Sequence, residues 1–234
     1  MLPTGGAVRA AGASAARRPA EVVLFDLDGV LADSRLAITS CMNHALASTG
    51  REPVPPSDLY PLIGPSLAYG FSSLLGVEPD DPSVASCIAA YRSVYAEVSL
   101  RDTPTYPGVP EALDAIASAV PGRRLAVATS KPRAFAEPLI QALGLRDRFV
   151  AVFAPELDLH VESKTATVAT AIATLAAAGL PATMVGDRYV DMHAAHAHGL
   201  RAVGVTWGFG TPEELREAGA TVLVAEPADL PAAV

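Results

Sequence analysis

The chain is short of cysteine, aromatic residues and positive charge. Two cysteines, Cys41 and Cys87, occur in 234 residues. Neither stands in a CxxC pair, so they build no disulfide framework. Both fall on apolar helical faces and read as buried thiols, which suits a reducing cytoplasm. Lys and Arg number 17 against 25 Asp and Glu, a formal net charge of −8. That balance argues against a nucleic-acid partner, because phosphate backbones demand Lys and Arg. It leaves room for a small anionic substrate, which needs only a local positive site. No apolar run is long enough to span a bilayer, so no membrane partner is expected. Residues 1–20 contain Ala, Gly and Arg but no apolar segment, and read as a flexible tail rather than a secretory signal.

What the chain has is small apolar residues. Half of it is hydrophobic while aromatics make up 6%, so a sizeable core must be built from Ala, Val and Leu. Short apolar runs at 21–27, 123–130, 182–187 and 201–206 read as buried strands, with weaker candidates at 149–154 and 221–225. Helical patterns lie between them. Leu113, Ile116 and Val120 follow Pro110; Leu139 and Leu143 follow Pro132, with Pro138 inside the segment; Val168, Ile172 and Leu175 follow Lys164, and that helix stops at Gly179 and Pro181. Strands alternating with helices predict an α/β fold, a Rossmann-like parallel sheet covered on both faces.

Residues 35–104 break the alternation, because their signals are helical only. Ile38, Cys41, Met42 and Ala45 mark one helix, and Val84, Cys87, Ile88, Tyr91, Tyr95 and Val98 mark another. The expected organisation is therefore a core of 21–34 and 105–234 with a helical insert at 35–104 over one end of the sheet.

Sites in open parallel sheets form beyond the carboxyl ends of the strands, and here those ends carry reactive side chains. The first strand ends in Asp26 and Asp28, the second in Thr129, Ser130 and Lys131, and the fourth in Asp187 with Asp191 four residues on. Lys164 opens the helix before the fourth strand. An extended strand would point Asp26 and Asp28 to one face. Four carboxylates crowded together repel, and Mg2+ resolves this, being content with a few carboxylates, water and a substrate phosphate. Lys164 balances the remaining charge and Thr129 can donate to a phosphate oxygen. One carboxylate is left free as a nucleophile.

The segments "FDLDGVLADS", "VATSKP", "SK" at 163–164 and "VGDRYVDMHAA" resemble the four motifs of the haloacid dehalogenase superfamily, in its phosphoglycolate-phosphatase-like branch. "YPGVPEAL" and "VTWGFGTPEELREAGA" are also similar to recurring segments of that branch. The resemblance implies that Asp26 attacks phosphorus to form an aspartyl-phosphate. It implies that Asp28 protonates the leaving oxygen and then activates water, and that Thr129 and Lys164 hold the phosphoryl oxygens. Asp187 and Asp191 would bind Mg2+ with Asp26 and the backbone carbonyl of Asp28. The insert would correspond to the family's cap. Two positions depart from the pattern: Thr165 stands where many relatives have Pro, and Ser130 where the branch often has Asn.

The expected function is a Mg2+-dependent phosphatase acting on a small phosphorylated metabolite, with no oligomeric state implied. The alternatives are a phosphomutase of the same superfamily and a catalytically silent scaffolding domain. The mutase is disfavoured because "IGPSLAYGF" offers no cation for a second phosphate. Ser130 and Lys131 are candidate substrate contacts, although Lys131 could equally face solvent. Asp33 and Ser34 read as turn and cap residues. His193, His196 and His198 are spaced so that all three cannot share one helix face, which argues against a metal site.

Overall fold

The computed structural model describes residues 21–157, 163–175 and 179–234. The expected tail at 1–20 lies outside them, as do 176–178, where the helix opened by Lys164 was expected to run on. All six expected strands form: β1 Val22–Phe25, β2 Arg124–Ala128, β3 Ala151–Phe153, β4 Ala182–Gly186, β5 Arg201–Val205 and β6 Val222–Val224. They make one parallel sheet in the order β3-β2-β1-β4-β5-β6, with Leu24 registered between Ala126 and Met184. The strands are near-continuous apolar runs because both faces are covered. Val23, Phe25, Leu125 and Val127 face one hydrophobic cluster, and Val22, Leu24, Ala126 and Ala128 face the other.

The helices are α1 Arg35–Ser48, α2 Pro56–Leu59, α3 Leu67–Leu75, α4 Pro82–Asp102, α5 Val109–Ala119, α6 Arg133–Ala142, α7 Lys164–Thr174, α8 Tyr189–Ala197, α9 Pro212–Glu217 and α10 Leu230–Ala233. Apolar stripes on α5, α6 and α10, such as Leu113, Ile140 and Leu230, cover the first face. Val168 of α7, Met192 of α8 and Leu215 of α9 cover the second. Pro138 is accommodated within α6.

Helices α1–α4 form a layer with a hydrophobic cluster of their own, in which Ile38, Met42, Phe71, Tyr91 and both cysteines are buried. The chain leaves the sheet and returns to it side by side. Asp33 N donates to the Pro104 carbonyl at 2.8 Å, Tyr106 N donates to the Leu31 carbonyl at 3.2 Å, and Ala32 and Thr105 form an antiparallel bridge between them.

One sequence expectation needs correction. The first strand stops at Phe25 rather than at 27, so Asp26 and Asp28 do not lie on an extended strand. Leu27 N donates to Asp26 Oδ1 at 2.7 Å, and the amides of Leu31 and Ala32 both donate to the Leu27 carbonyl at 3.0 Å. The backbone turns at once after β1, and that turn separates the surroundings of the two aspartates.

Candidate active site

Because β1 lies between β2 and β4, the loops after these three strands meet at one end of the sheet, where the strand order reverses. All eight residues singled out from the sequence converge there. Asp26, Asp28, Thr129, Ser130, Lys131 and Lys164 line a cavity of about 520 Å³ closed on its other side by α1, α3 and α4. Asp187 and Asp191 lie in its buried floor, and one carboxylate oxygen from each of Asp26, Asp187 and Asp191 falls within 4.8 Å of the others.

Glycine makes this packing possible. Gly186 ends β4 against Asp191, and a Cβ at 186 would overlap that carboxylate. Gly29 takes a φ of +86° in the turn after Asp28, and a Cβ there would overlap Asp187 and Phe209.

Lys164 is delivered by the start of α7. Ser163 caps that helix by accepting from Ala166 N at 3.2 Å, and Lys164, one residue on, points back into the floor. Its Nζ stands 2.8 Å from Asp26 Oδ1 and 2.8 Å from Asp191 Oδ1, in close charge contact rather than in well-directed hydrogen bonds. Burial works against the ammonium, but Asp191 and Asp26 outweigh it and hold Lys164 above its ordinary value. Burial likewise pushes the Asp26 carboxyl up to about 6, against the pull of Lys164. Asp187 is also raised well above the ordinary carboxylate range, by burial and by Asp191 and Asp26 beside it.

These shifts mark a negative site whose charge the protein leaves uncompensated. Three carboxylates face one ammonium, so two negative charges remain when all are ionised, the charge of one divalent cation. Asp187 Oδ2 accepts from Phe209 N at 2.7 Å, while its Oδ1 is buried with no hydrogen-bond partner among the described residues. An all-oxygen donor set with an orphaned carboxylate oxygen fits a hard cation of the Mg2+ type. Among the described residues this is the one such group of His, Cys, Asp and Glu side chains. The histidines do not form another: His196 meets the Gly219 carbonyl, His198 the Thr165 carbonyl, and His193 the Tyr189 ring.

Asp28 sits in a different setting. Lys131 Nζ donates to both of its oxygens at 2.7 Å, and Ser34 also donates to it. Lys131 is buried, which removes the solvent-facing alternative, and it donates in addition to the hydroxyl of Tyr95 from α4. Burial opposes its charge, but Asp28 and Tyr95 more than restore it. Thr129 Oγ1 accepts from Lys131 N at 3.1 Å, which leaves the hydroxyl hydrogen available for a ligand.

Sequence reasoning missed Tyr95, Arg92 and Arg188. Tyr95 read as a core residue of the insert, yet it stacks on Tyr91, meets Phe135 edge-on and reaches Lys131. Arg92 of α4 lines the cavity, so the insert does supply a cation, from outside the loop on which the argument against a mutase rested. Arg188 pairs with Glu214 at 2.8 Å and donates to the Ile63 carbonyl of the insert. One signal was available in the sequence: the chain contains only two lysines, Lys131 and Lys164, and the fold brings both to this cluster.

Comparison with known proteins agrees with this geometry. Residues 23–205 match the family model described as haloacid dehalogenase-like hydrolase. A protein of Pseudomonas aeruginosa named 5'-nucleotidase is 32% identical over 194 residues, covering 83% of this chain and 86% of that one. A phosphoglycolate phosphatase of Agrobacterium fabrum is 32% identical over 195 residues, covering 80% of this chain and 81% of that one. The crystal structure of a predicted phosphatase from Clostridium acetobutylicum superposes with a TM-score of 0.84 at 30% identity, covering 92% of this chain and 97% of that one. With its strand order, its convergent carboxylates and lysines, and a family match over most of its length, the chain belongs to the haloacid dehalogenase-like hydrolases.

Proposed function

We propose that this hydrolase is a divalent-cation-dependent phosphatase that cleaves small phosphate monoesters through an aspartyl-phosphate. The observation that carries the reading is the placement of Asp26: at the end of the central strand, 2.8 Å from Lys164 and within 4.8 Å of two further buried carboxylates, open to the cavity. Relatives named 5'-nucleotidase and phosphoglycolate phosphatase support the reaction class and leave the substrate open.

Asp26, Asp187 and Asp191, with the backbone carbonyl of Asp28, are the groups that would hold the cation. When bound, it offsets the charge of these carboxylates and of the incoming phosphate. Asp26 supplies the attacking oxygen: its carboxylate bonds to phosphorus as the bond to the ester oxygen breaks. Lys164 and Thr129 hold the phosphoryl oxygens, one as a fixed positive charge and the other through its free hydroxyl hydrogen. Asp28 gives the ester oxygen its proton as it leaves, then takes a proton from the water that hydrolyses the aspartyl-phosphate. In the structure Asp28 is engaged by Lys131 and Ser34. An incoming phosphate monoanion competes for Lys131 and passes its proton to the freed Asp28 carboxylate, which delivers that proton to the leaving ester oxygen. The insert serves as the cap that shields the site from bulk solvent while the ester is cleaved and admits the water of the second step.

The test is release of inorganic phosphate from p-nitrophenyl phosphate and a panel of phosphometabolites, with Mg2+ and with excess chelator. Turnover with Mg2+ alone, abolished in Asp26→Asn for every ester, is the expected result. Full turnover in chelator, or an active Asp26→Asn, would sink the reading.

A further inference from the structure

The two sides of the cavity differ in chemistry. The sheet side offers Thr129, Ser130, Lys131 and Lys164, all suited to phosphate. The insert side is apolar, lined by Ile38 and Met42 of α1, Leu67 of α3, and Ile88 and Tyr91 of α4. At about 520 Å³ the cavity lies in the range of roughly 300–1,000 Å³ that holds drug-sized ligands. A two-carbon acid on the phosphate would leave most of those apolar walls against water, forgoing the gain from covering them. A flat ring would cover them, and the stacked pair Tyr91 and Tyr95, 4.8 Å apart at 22°, gives that wall a planar element.

One charged side chain interrupts the insert side, that of Arg92. Ile88, Tyr91, Arg92 and Tyr95 follow one another at i, i+3, i+4 and i+7 on α4 and all line the cavity. Arg92 Nε is buried without a hydrogen-bond partner among the described residues. Arg92 itself is only half-buried and forms part of the cavity wall, where a planar guanidinium is suited to oxygen acceptors. We propose that Arg92 is a specificity-determining residue, and that the substrate is a phosphate monoester whose leaving group carries a ring with an oxygen acceptor facing Arg92. This rests on the phosphatase reading and adds to it the class of leaving group.

Three esters separate the elements of the claim: uridine 5'-monophosphate has ring and acceptor, phenyl phosphate has the ring alone, and phosphoglycolate has no ring. The full chain should show a kcat/KM for uridine 5'-monophosphate at least tenfold above that for phosphoglycolate. Arg92→Ala should lower the ratio of kcat/KM for uridine 5'-monophosphate to that for phenyl phosphate at least tenfold, chiefly through KM. Arg92→Lys, which keeps the charge and loses the planar fork, should restore only part of the ratio. Turnover of phenyl phosphate by each variant shows that it is folded. Phosphoglycolate turned over as well as the nucleotide, or a ratio unmoved in Arg92→Ala, would overturn the inference and leave the phosphatase reading intact. Phosphate release from none of the three by the unaltered protein would overturn that reading itself.

Discussion

Asp26 and Asp28 are two residues apart and live in different electrostatic worlds. Asp26 shares Lys164 with a buried acidic floor, while Asp28 is held by Lys131 and Ser34 at the cavity wall. The proposed division of labour between nucleophile and acid rests on that separation, to which the Lys131 ion pair with Asp28 contributes. Lys131→Met keeps the aliphatic bulk and removes the donor. A hydrogen bond to a charged group is worth about 1.5–3 kcal/mol, so kcat/KM should fall roughly ten- to a hundredfold. A melting temperature that shifts while kinetics stay at wild-type values would assign Lys131 a merely structural part. Cys41 gives a second prediction at this scale. Burial pushes its thiol up to about 11 from an ordinary 9. The folded protein therefore keeps this proton where the unfolded chain has lost it. The contribution is whole below pH ~9 and is lost as pH rises towards 11. Iodoacetamide at pH 8 should leave both cysteines unlabelled in the native protein and alkylate both in urea, as mass spectrometry would report. Rapid native labelling would show that the cluster around α1 and α4 opens readily.

At the scale of elements, the close fit of β4 against α8 positions the acidic floor. Gly186 is the contact point, because Asp191 occupies the space a side chain would need. Gly186→Ala should force α8 outward. Overpacking of a filled site costs about 1–3 kcal/mol, which in a chain of this size lowers the melting temperature by roughly 2–12 °C. If the acidic floor holds Mg2+ as proposed, the ion should stabilise the unaltered protein in thermal melts, and Gly186→Ala should abolish that gain, since Asp191 is displaced. Melts with and without Mg2+ check both, and retained Mg2+ stabilisation in the variant would contradict this geometry. The same scale shows what the sequence could reveal. Asp26, Asp187 and the Thr129 segment were legible because each ends an apolar run, and Lys164 because it opens a helix that a cation should avoid. The end of β1 was misplaced by two residues, since the apolar Leu27 continues the strand pattern although its backbone already turns. Tyr95 and Arg92 stayed hidden because an amphipathic helix shows which face is buried but not what it is buried against, and Arg188, at the N-cap of α8, because its partner in the insert is distant in sequence. Their partners Lys131, the cavity and the Ile63 carbonyl lie 36 or more residues away for Tyr95 and 125 for Arg188.

For the whole molecule, the described residues divide into the sheet with its two clusters and a helical layer with its own, joined away from the chain crossings by few polar contacts: Tyr95 with Lys131, and Arg188 with the carbonyls of Ile63 and Pro61. No helix among the described residues is long and apolar enough to cross a membrane. The hinge where these parts meet has a further meaning. Asp33 and Pro104 are hydrogen-bonded neighbours across the whole insert. The layer is thus attached as an excursion that begins and ends at one point, and evolution could lengthen, shorten or exchange it without re-threading the sheet. Removing residues 35–102 and closing the gap with a short glycine-rich turn should therefore leave a chain that still folds. Replacing a long closed loop by a short one lowers the entropic cost of closure, which works in favour of the shortened protein. The cost falls on Phe135 and Phe209, which pack against the insert and would become exposed. A cooperative thermal transition in the excised protein would show that the sheet is an independent module onto which substrate choice has been grafted; a molten species without one would mean that the two parts mature only together.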